Sequence, residues 1–259
     1  MRKKKTVLRY LTIFFVLMFF VSGFILAKEL IERQMDADNF DKLTHLAMMN
    51  TSGAKEVNQN IVSEGTNLTA QGDKEHTRNI SLLQKENADC IGWLYIEDTR
   101  VNYPVMHTPE DPEKYLRLNF YGEYSVSGVP FMDGTCHMTD MHIMIYGHNM
   151  RNDTIFGDIV EYTDHKYRDA HPFIEFETIN GCTTYEVFSV AIIDVSDEWY
   201  FSNPADTPES YAEKIAYIQK MDLYNTAVTP EYGQQLLTLS TCYGRDDDTR
   251  LIVVAAECK

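Results

Sequence analysis

No Cys-x-x-Cys pair occurs among the five cysteines, Cys90, Cys136, Cys182, Cys242 and Cys258. Neither a zinc ribbon nor a thioredoxin-type redox pair is therefore supported. Their odd number leaves at least one thiol without a partner. Basic residues are scarce: 23 Lys and Arg stand against 39 Asp and Glu, a formal net charge of -16. Five positive charges (Arg2, Lys3, Lys4, Lys5 and Arg9) fall in residues 1–27, where no acid occurs, which leaves -21 for the remainder. So acidic a body argues against nucleic-acid binding, which needs a basic footprint, and fits a solvated surface. No internal repeat is apparent. His137, His142 and His148 lack acidic or thiolate partners at regular spacing, so the sequence implies no metal and no other cofactor.

What is present begins with an apolar run, LTIFFVLMFFVSGFILA at 11–27, which no charge interrupts. With residues 6–10 it approaches the roughly 20 residues that cross a bilayer core as a helix. The cationic side stays in the cytoplasm by the positive-inside rule, so the C-terminal bulk is expected outside the cell membrane. A cleaved signal peptide has a shorter apolar region, and a cut after Ala27 would put bulky Ile25 at the -3 position. A buried core helix is a third and poorer reading, because the run lacks any polar stripe. The expectation is a cytoplasmic basic tail over 1–9 and an uncleaved single-pass transmembrane anchor over 10–27. Residues 28–47 read as a helix continuing out of the membrane, and 48–75 as a polar linker, giving a helix and stalk over 28–79. A short helix is expected over 77–86, leading into a domain over 80–259.

Hydrophobic residues make up 44% of the chain, enough for a packed core. From Cys90 onward the sequence breaks into short runs rich in β-branched and aromatic residues: CIGWLYIE, VNYPVM, GVPFMD, HIMIYGH, FIEFET, TYEVFSVAIID, LLTLSTC and RLIVVAAE. Turn-forming residues separate most of them, which predicts a mainly β fold, barrel or sandwich, with flanking helices. Two helical insertions are expected, around 155–162 and over 208–221. The second has Thr207 as N-cap, Pro208 at the first helical position and Glu209 in the first turn.

Isolated cysteines are commonly small buried hydrophobes, and Cys90, Cys136, Cys182 and Cys258 are read that way. Cys242 ends an apolar run and precedes the polar Tyr243-Gly244-Arg245-Asp246, a rigid mount from which a thiol can face a cleft. Taken alone it also reads as a buried strand-end cysteine. His148 ends the run HIMIYG and reads alone as a surface histidine, yet a base and a nucleophile need only meet in space. Arg250 opens RLIVVAAE, where a permanent charge is costly to bury unpaired. It either points to solvent beside Asp246, Asp247 and Asp248 or shares a cleft with Cys242, which a hairpin would place beside it.

Three strings occur in order: Tyr-Gly-His-Asn at 146–149, Thr-Leu-Ser-Thr-Cys at 238–242 and Thr-Arg-Leu-Ile-Val-Val-Ala at 249–255. Together they resemble the sortase signature. Asn-Tyr-Pro-Val at 102–105, Lys-Tyr-Leu at 114–116, Val-Pro-Phe-Met-Asp at 129–133 and a helix over 208–221 resemble class B sortases in particular. The resemblance covers about residues 80–257. It implies an eight-stranded sortase-type β-barrel in which Cys242 (nucleophile), His148 (acid/base) and Arg250 (oxyanion partner) converge. It also implies that Leu116, Tyr200, Phe201, Ser240 and Thr241 line the peptide groove. The implied activity is a cysteine transpeptidase that cleaves a C-terminal sorting motif of secreted proteins after Thr and transfers them to an amine of a peptidoglycan precursor. The loop YGRDDDT departs from the family pattern in being short and strongly acidic. A membrane-anchored cysteine protease using water as acceptor, and a stalked non-catalytic binding module, are the competing readings.

Overall fold

The computed structural model describes residues 2–48, 78–201, 205–245 and 247–259, with side chains placed from Leu11 onward except at positions 29 and 33. The chain divides into two compact units, 1–41 and 42–259. Helix α1 runs Arg2–Met48. In the first unit the large apolar side chains between Leu11 and Leu26 are 48% to 75% exposed. A helix apolar on every side needs apolar surroundings, and this one is long and apolar enough to cross a membrane. Most of the polar linker expected over 48–75 lies outside the described residues, as does Thr77 at the start of the short helix expected there.

In the second unit α1 ends with Leu43 and Ala47 fully buried, and the Ala47 carbonyl accepts from Asn79 N–H at 2.6 Å. Helix α2 (Ile80–Glu86) starts on Asn79, whose side chain caps it by accepting from Leu82 N–H. Eight strands follow: β1 (Cys90–Tyr95), β2 (Asn102–Met106), β3 (Phe131–Met132), β4 (His142–Tyr146), β5 (Phe173–Thr178), β6 (Gly181–Asp194), β7 (Leu236–Cys242) and β8 (Thr249–Glu257). They close into a barrel in the order β1-β2-β3-β4-β7-β8-β6-β5. Each of the eight apolar runs supplies one strand. Closure leaves no unpaired edge. Pairings β2–β3 and β4–β7 are parallel; the other six are antiparallel.

The helices differ from expectation in kind and extent. Residues Asp158–Thr163 form a 3-10 helix rather than an α-helix, entered from Ile155, whose φ of 57° is left-handed and incompatible with a helix running through it. Two short helices were not legible: α3 (His165–Ala170), capped by Asp164, and α4 (Glu198–Phe201). Helix α5 (Pro208–Gln219) lies between β6 and β7 and stops two residues before the expected 221. Thr207 Oγ1 accepts from Ser210 N–H and Ser210 Oγ accepts from Thr207 N–H, a reciprocal cap on the α5 N-terminus. Tyr211, Ile215 and Ile218, spaced to share one face, pack with Trp199 against Leu236, Ile252 and Val254. This cover buries the outer face of β7 and explains why its residues 236–241 are buried without alternation.

A buried ion pair ties the segment before α2 to the barrel. Glu177 of β5 accepts from Arg78 N–H at 2.6 Å and faces the Arg78 guanidinium at 3.5 Å. Arg78 also donates to Asn102 Oδ1 and lies over the rings of Trp93 and Tyr95. Glu177→Ala strands a buried guanidinium and is expected to cost about 3–5 kcal/mol, read as a lowered denaturation midpoint. An unchanged midpoint would show that the pair contributes nothing to stability.

Candidate active site

The parallel register of β4 and β7 sets the site. Tyr146 pairs with Ser240, and Gly147 N–H continues the ladder to Ser240 C=O at 3.2 Å. His148 and Cys242 each lie two residues beyond that pair. Thr241 Oγ1 donates to the Gly147 carbonyl at 2.7 Å and Asn149 Nδ2 to the Cys242 carbonyl at 3.0 Å, so the two strand ends are cross-tied. On the other side of β7, Cys242 pairs directly with Arg250 of β8. The three residues line one cleft of about 450 Å³. Leu116, Tyr200, Phe201, Ser240 and Thr241 line the same cleft.

Cys242 is exposed. The other four thiols are raised in pKa. Burial pushes Cys90 up to about 12 and Cys136 up to about 11. Desolvation, then the charges of Glu175 and Glu177, push Cys182 up to about 11, and desolvation with Glu186 and Glu257 raises Cys258. Cys182 and Cys258 are exposed, not buried as expected, because they sit at the open ends of β6 and β8. A raised thiol pKa leaves little thiolate at neutral pH.

His148 is half-buried, and burial depresses its imidazolium, aided by the positive charge of Arg117. Nε2 lies 2.9 Å from the Leu116 carbonyl, which raises the pKa in part. A carbonyl only accepts, so Nε2 carries the proton and Nδ1 is the basic atom of the neutral ring. Arg250 is half-exposed at the head of β8, and its Nη1 donates to the carbonyls of Asp247 (2.6 Å) and Thr249 (3.1 Å). The acidic loop thus holds the guanidinium through backbone oxygens; Asp246 lies outside the described residues.

An aromatic wall forms one side of the cleft. Tyr146 stacks on Tyr200 at 6.3 Å and 27°. Tyr146 OH donates to Asp133 Oδ2 at 2.9 Å, and Tyr200 OH bonds Ser240 Oγ at 2.8 Å. Burial raises both phenols, Tyr200 to about 12, so both stay protonated as hydrogen-bonding groups. The sequence does not single out Tyr146 or Asp133, although they lie in Tyr-Gly-His-Asn at 146–149 and Val-Pro-Phe-Met-Asp at 129–133; their neighbours signal strands, not a shared cleft.

The remaining histidines considered for a metal separate. His142 is buried in β4 with Nε2 on Thr238 Oγ1 at 2.8 Å, whereas His137 is exposed beside Asp140. Among the described residues no group of three or more His, Cys, Asp or Glu side chains is placed to hold a metal ion.

The sortase domain family model matches residues 94–258. Sortase B of Listeria monocytogenes is 32% identical over 164 residues, which is 62% of this chain; the match spans 65% of that protein's length. Sortase B of Staphylococcus aureus is 25% identical over 258 residues, 98% of this chain and 97% of that protein. The Staphylococcus aureus sortase B–substrate complex superposes with a TM-score of 0.73 at 24% identity, covering 88% of this chain and 99% of that one, and so shares its fold. A family match over most of the chain, with sortase B relatives in sequence and in barrel topology, means that this chain belongs to the sortase family, in class B.

Proposed function

We propose that the chain is a membrane-anchored cysteine transpeptidase that cleaves a C-terminal sorting motif of secreted proteins after Thr and transfers them to an amine of a cell-wall precursor. The observation that carries this reading is the convergence of an exposed thiol, a neutral imidazole and a guanidinium in one peptide-sized cleft. The Cys242 thiol gives its proton to His148, and the sulfur attacks the carbonyl carbon that follows the peptide's Thr side. The C–N bond breaks, His148 returns the proton to the leaving amine, and a thioester remains on Cys242. An incoming amine then attacks the thioester, losing a proton to His148, and the thiol is restored as the new amide forms. Each tetrahedral intermediate carries an oxyanion, for which Arg250 and nearby backbone N–H groups supply positive charge. A guanidinium has no acceptor, so it cannot hold an imidazolium as the Asn or Asp of papain-like sites does. Leu116, Tyr200, Phe201, Ser240 and Thr241 contact the sorting peptide in this reading.

Residues 10–27 serve as the anchor, with the tail 1–9 in the cytoplasm, a stalk over 28–79 and the catalytic domain 80–259 outside. Incubation of the purified enzyme with a pool of candidate sorting peptides, followed by mass spectrometry, is expected to reveal an acyl adduct on Cys242. Product analysis with and without added amine separates transfer from hydrolysis. Failure to acylate with any peptide, together with a stable barrel whose Cys242 does not react with a thiol-directed reagent, would favour a binding module.

The pH dependence follows from burial. Because burial disfavours the imidazolium, the limb of the rate profile reporting His148 is expected below the about 6.5 of a free imidazole. His148→Ala is expected to lower kcat/KM by about 10²–10⁴ and to remove that limb.

A further inference from the structure

The Leu116 carbonyl that meets His148 belongs to a single 3-10 turn, Lys114–Leu116, which a lone hydrogen bond would not fix in place. The turn is instead held from several sides. Tyr115 is buried, and its hydroxyl donates to Asp89 Oδ2 at 2.8 Å while accepting from Asn87 Nδ2 at 2.7 Å. Lys114 Nζ reaches the same Asp89 oxygen at 2.6 Å. Val129 N–H donates to the Tyr115 carbonyl at 3.1 Å. Gly128, at a φ of +62°, lies where an added Cβ would stand 2.6 Å from the Tyr115 carbonyl and 2.7 Å from that of Leu116. Asp89 lies immediately before β1, and neither it nor Tyr115 lines the cleft.

We propose that Asp89 and Tyr115 are positioning residues: they lock the Lys114–Leu116 turn so that the Leu116 carbonyl holds His148 with its proton on Nε2 and steadies the imidazolium that must protonate the leaving amine. A turn free to rock by an ångström lengthens a 2.9 Å bond past useful range. The ring then rotates or takes the other tautomer, and its cationic form loses a partner. Asp89 suits the task. Its carboxyl is held below the usual carboxylate range because the bonds from Lys114 and Tyr115 outweigh its partial burial. The clamp therefore keeps its charge throughout the neutral range. Arg117 acts on His148 by its charge, and the other charged or titratable groups lining the same cleft are Glu113, Asp133, Tyr146, Tyr200, Cys242 and Arg250. Tyr115→Phe replaces none of these residues and changes no formal charge, whereas Asp89→Asn also leaves Lys114 without its carboxylate. This inference rests on the proposed acid/base role of His148.

The test uses the full chain in detergent with Tyr115→Phe and Asp89→Asn, each keeping the volume of the native side chain. ¹⁵N NMR of His148 reads tautomer and titration midpoint without any substrate, and peptide cleavage reads kcat and KM. In the wild type the Nε2–H form is expected to dominate. In both variants the midpoint is expected to fall and the tautomers to mix, with kcat down about tenfold, a fraction of what a placed acid/base group supplies, and KM little changed. An unchanged His148 spectrum and kcat in either folded variant would overturn the proposal. A loss confined to KM would also overturn it, since it would show only that Leu116 had moved as a groove wall. If the spectrum shifts as expected but the wild type turns over no peptide, the clamp stands and the transpeptidase reading falls.

Discussion

Cys242→Ala is expected to abolish both acyl-enzyme formation and transfer, a loss of about 10⁴ or more in kcat/KM, the scale seen when a hydrolase loses its nucleophile. The magnitude follows from what else the protein holds. Cys90 and Cys136 are buried, and all four other thiols are pushed up in pKa. None of the four lines the cleft that contains His148 and Arg250. Cys242→Ser is expected to be nearly as damaging, because a hydroxyl yields far less anion than a thiol beside the same neutral imidazole. Stability is expected to stay within about 0.5 kcal/mol of the native value, since an exposed side chain at a strand end fills no cavity. Peptide cleavage, intact-mass analysis and a thermal scan on one preparation separate the two effects. Cleavage within tenfold of the native rate in the alanine variant would remove the nucleophile assignment.

Arg250→Lys is expected to lower kcat by about 10²–10³ with little change in KM, the loss that follows removal of one oxyanion donor. The positive charge survives the substitution, so any loss reports geometry. Nη1 is tied to the carbonyls of Asp247 and Thr249, which orients the planar fork at the head of β8, next to its register partner Cys242. A lysine ammonium is a point donor on a flexible stem and cannot be braced and aimed at once. Arg250→Ala is expected to lose at least as much. The fold should survive, because Arg250 is half-exposed and β8 keeps its pairing to β6 and β7 through the backbone. Near-normal turnover by the lysine variant would assign the oxyanion to backbone donors alone.

The eight strands were legible because each is a short β-branched or aromatic run bounded by turn residues, a pattern contained in a few neighbouring positions. The same holds for α5, whose Thr-Pro-Glu-Ser start carries its own cap, and for α1, whose apolar length is a property of composition. The 3-10 turn over Asp158–Thr163 was less legible, since the left-handed Ile155 before it is set by tertiary contacts: its N–H donates to the hydroxyl of Tyr103, 52 positions away. Cys182 and Cys258 were misread for a related reason. Residue type gives a tendency to bury, but where a strand runs past its neighbours decides exposure.

The sequence by itself determined the eight strands, helix α5, the apolar N-terminal helix and, through three ordered strings, the family. Local periodicity, caps and motif identity are all written in contiguous residues. The tertiary structure alone decided what those residues meet. A parallel β4–β7 pairing, between strands separated in the chain by β5 and β6, brings His148 and Cys242 to one cleft, and a carbonyl 32 positions before His148 fixes which of its nitrogens carries the proton. Contacts of that kind depend on barrel closure and strand register, which no short stretch of chain encodes.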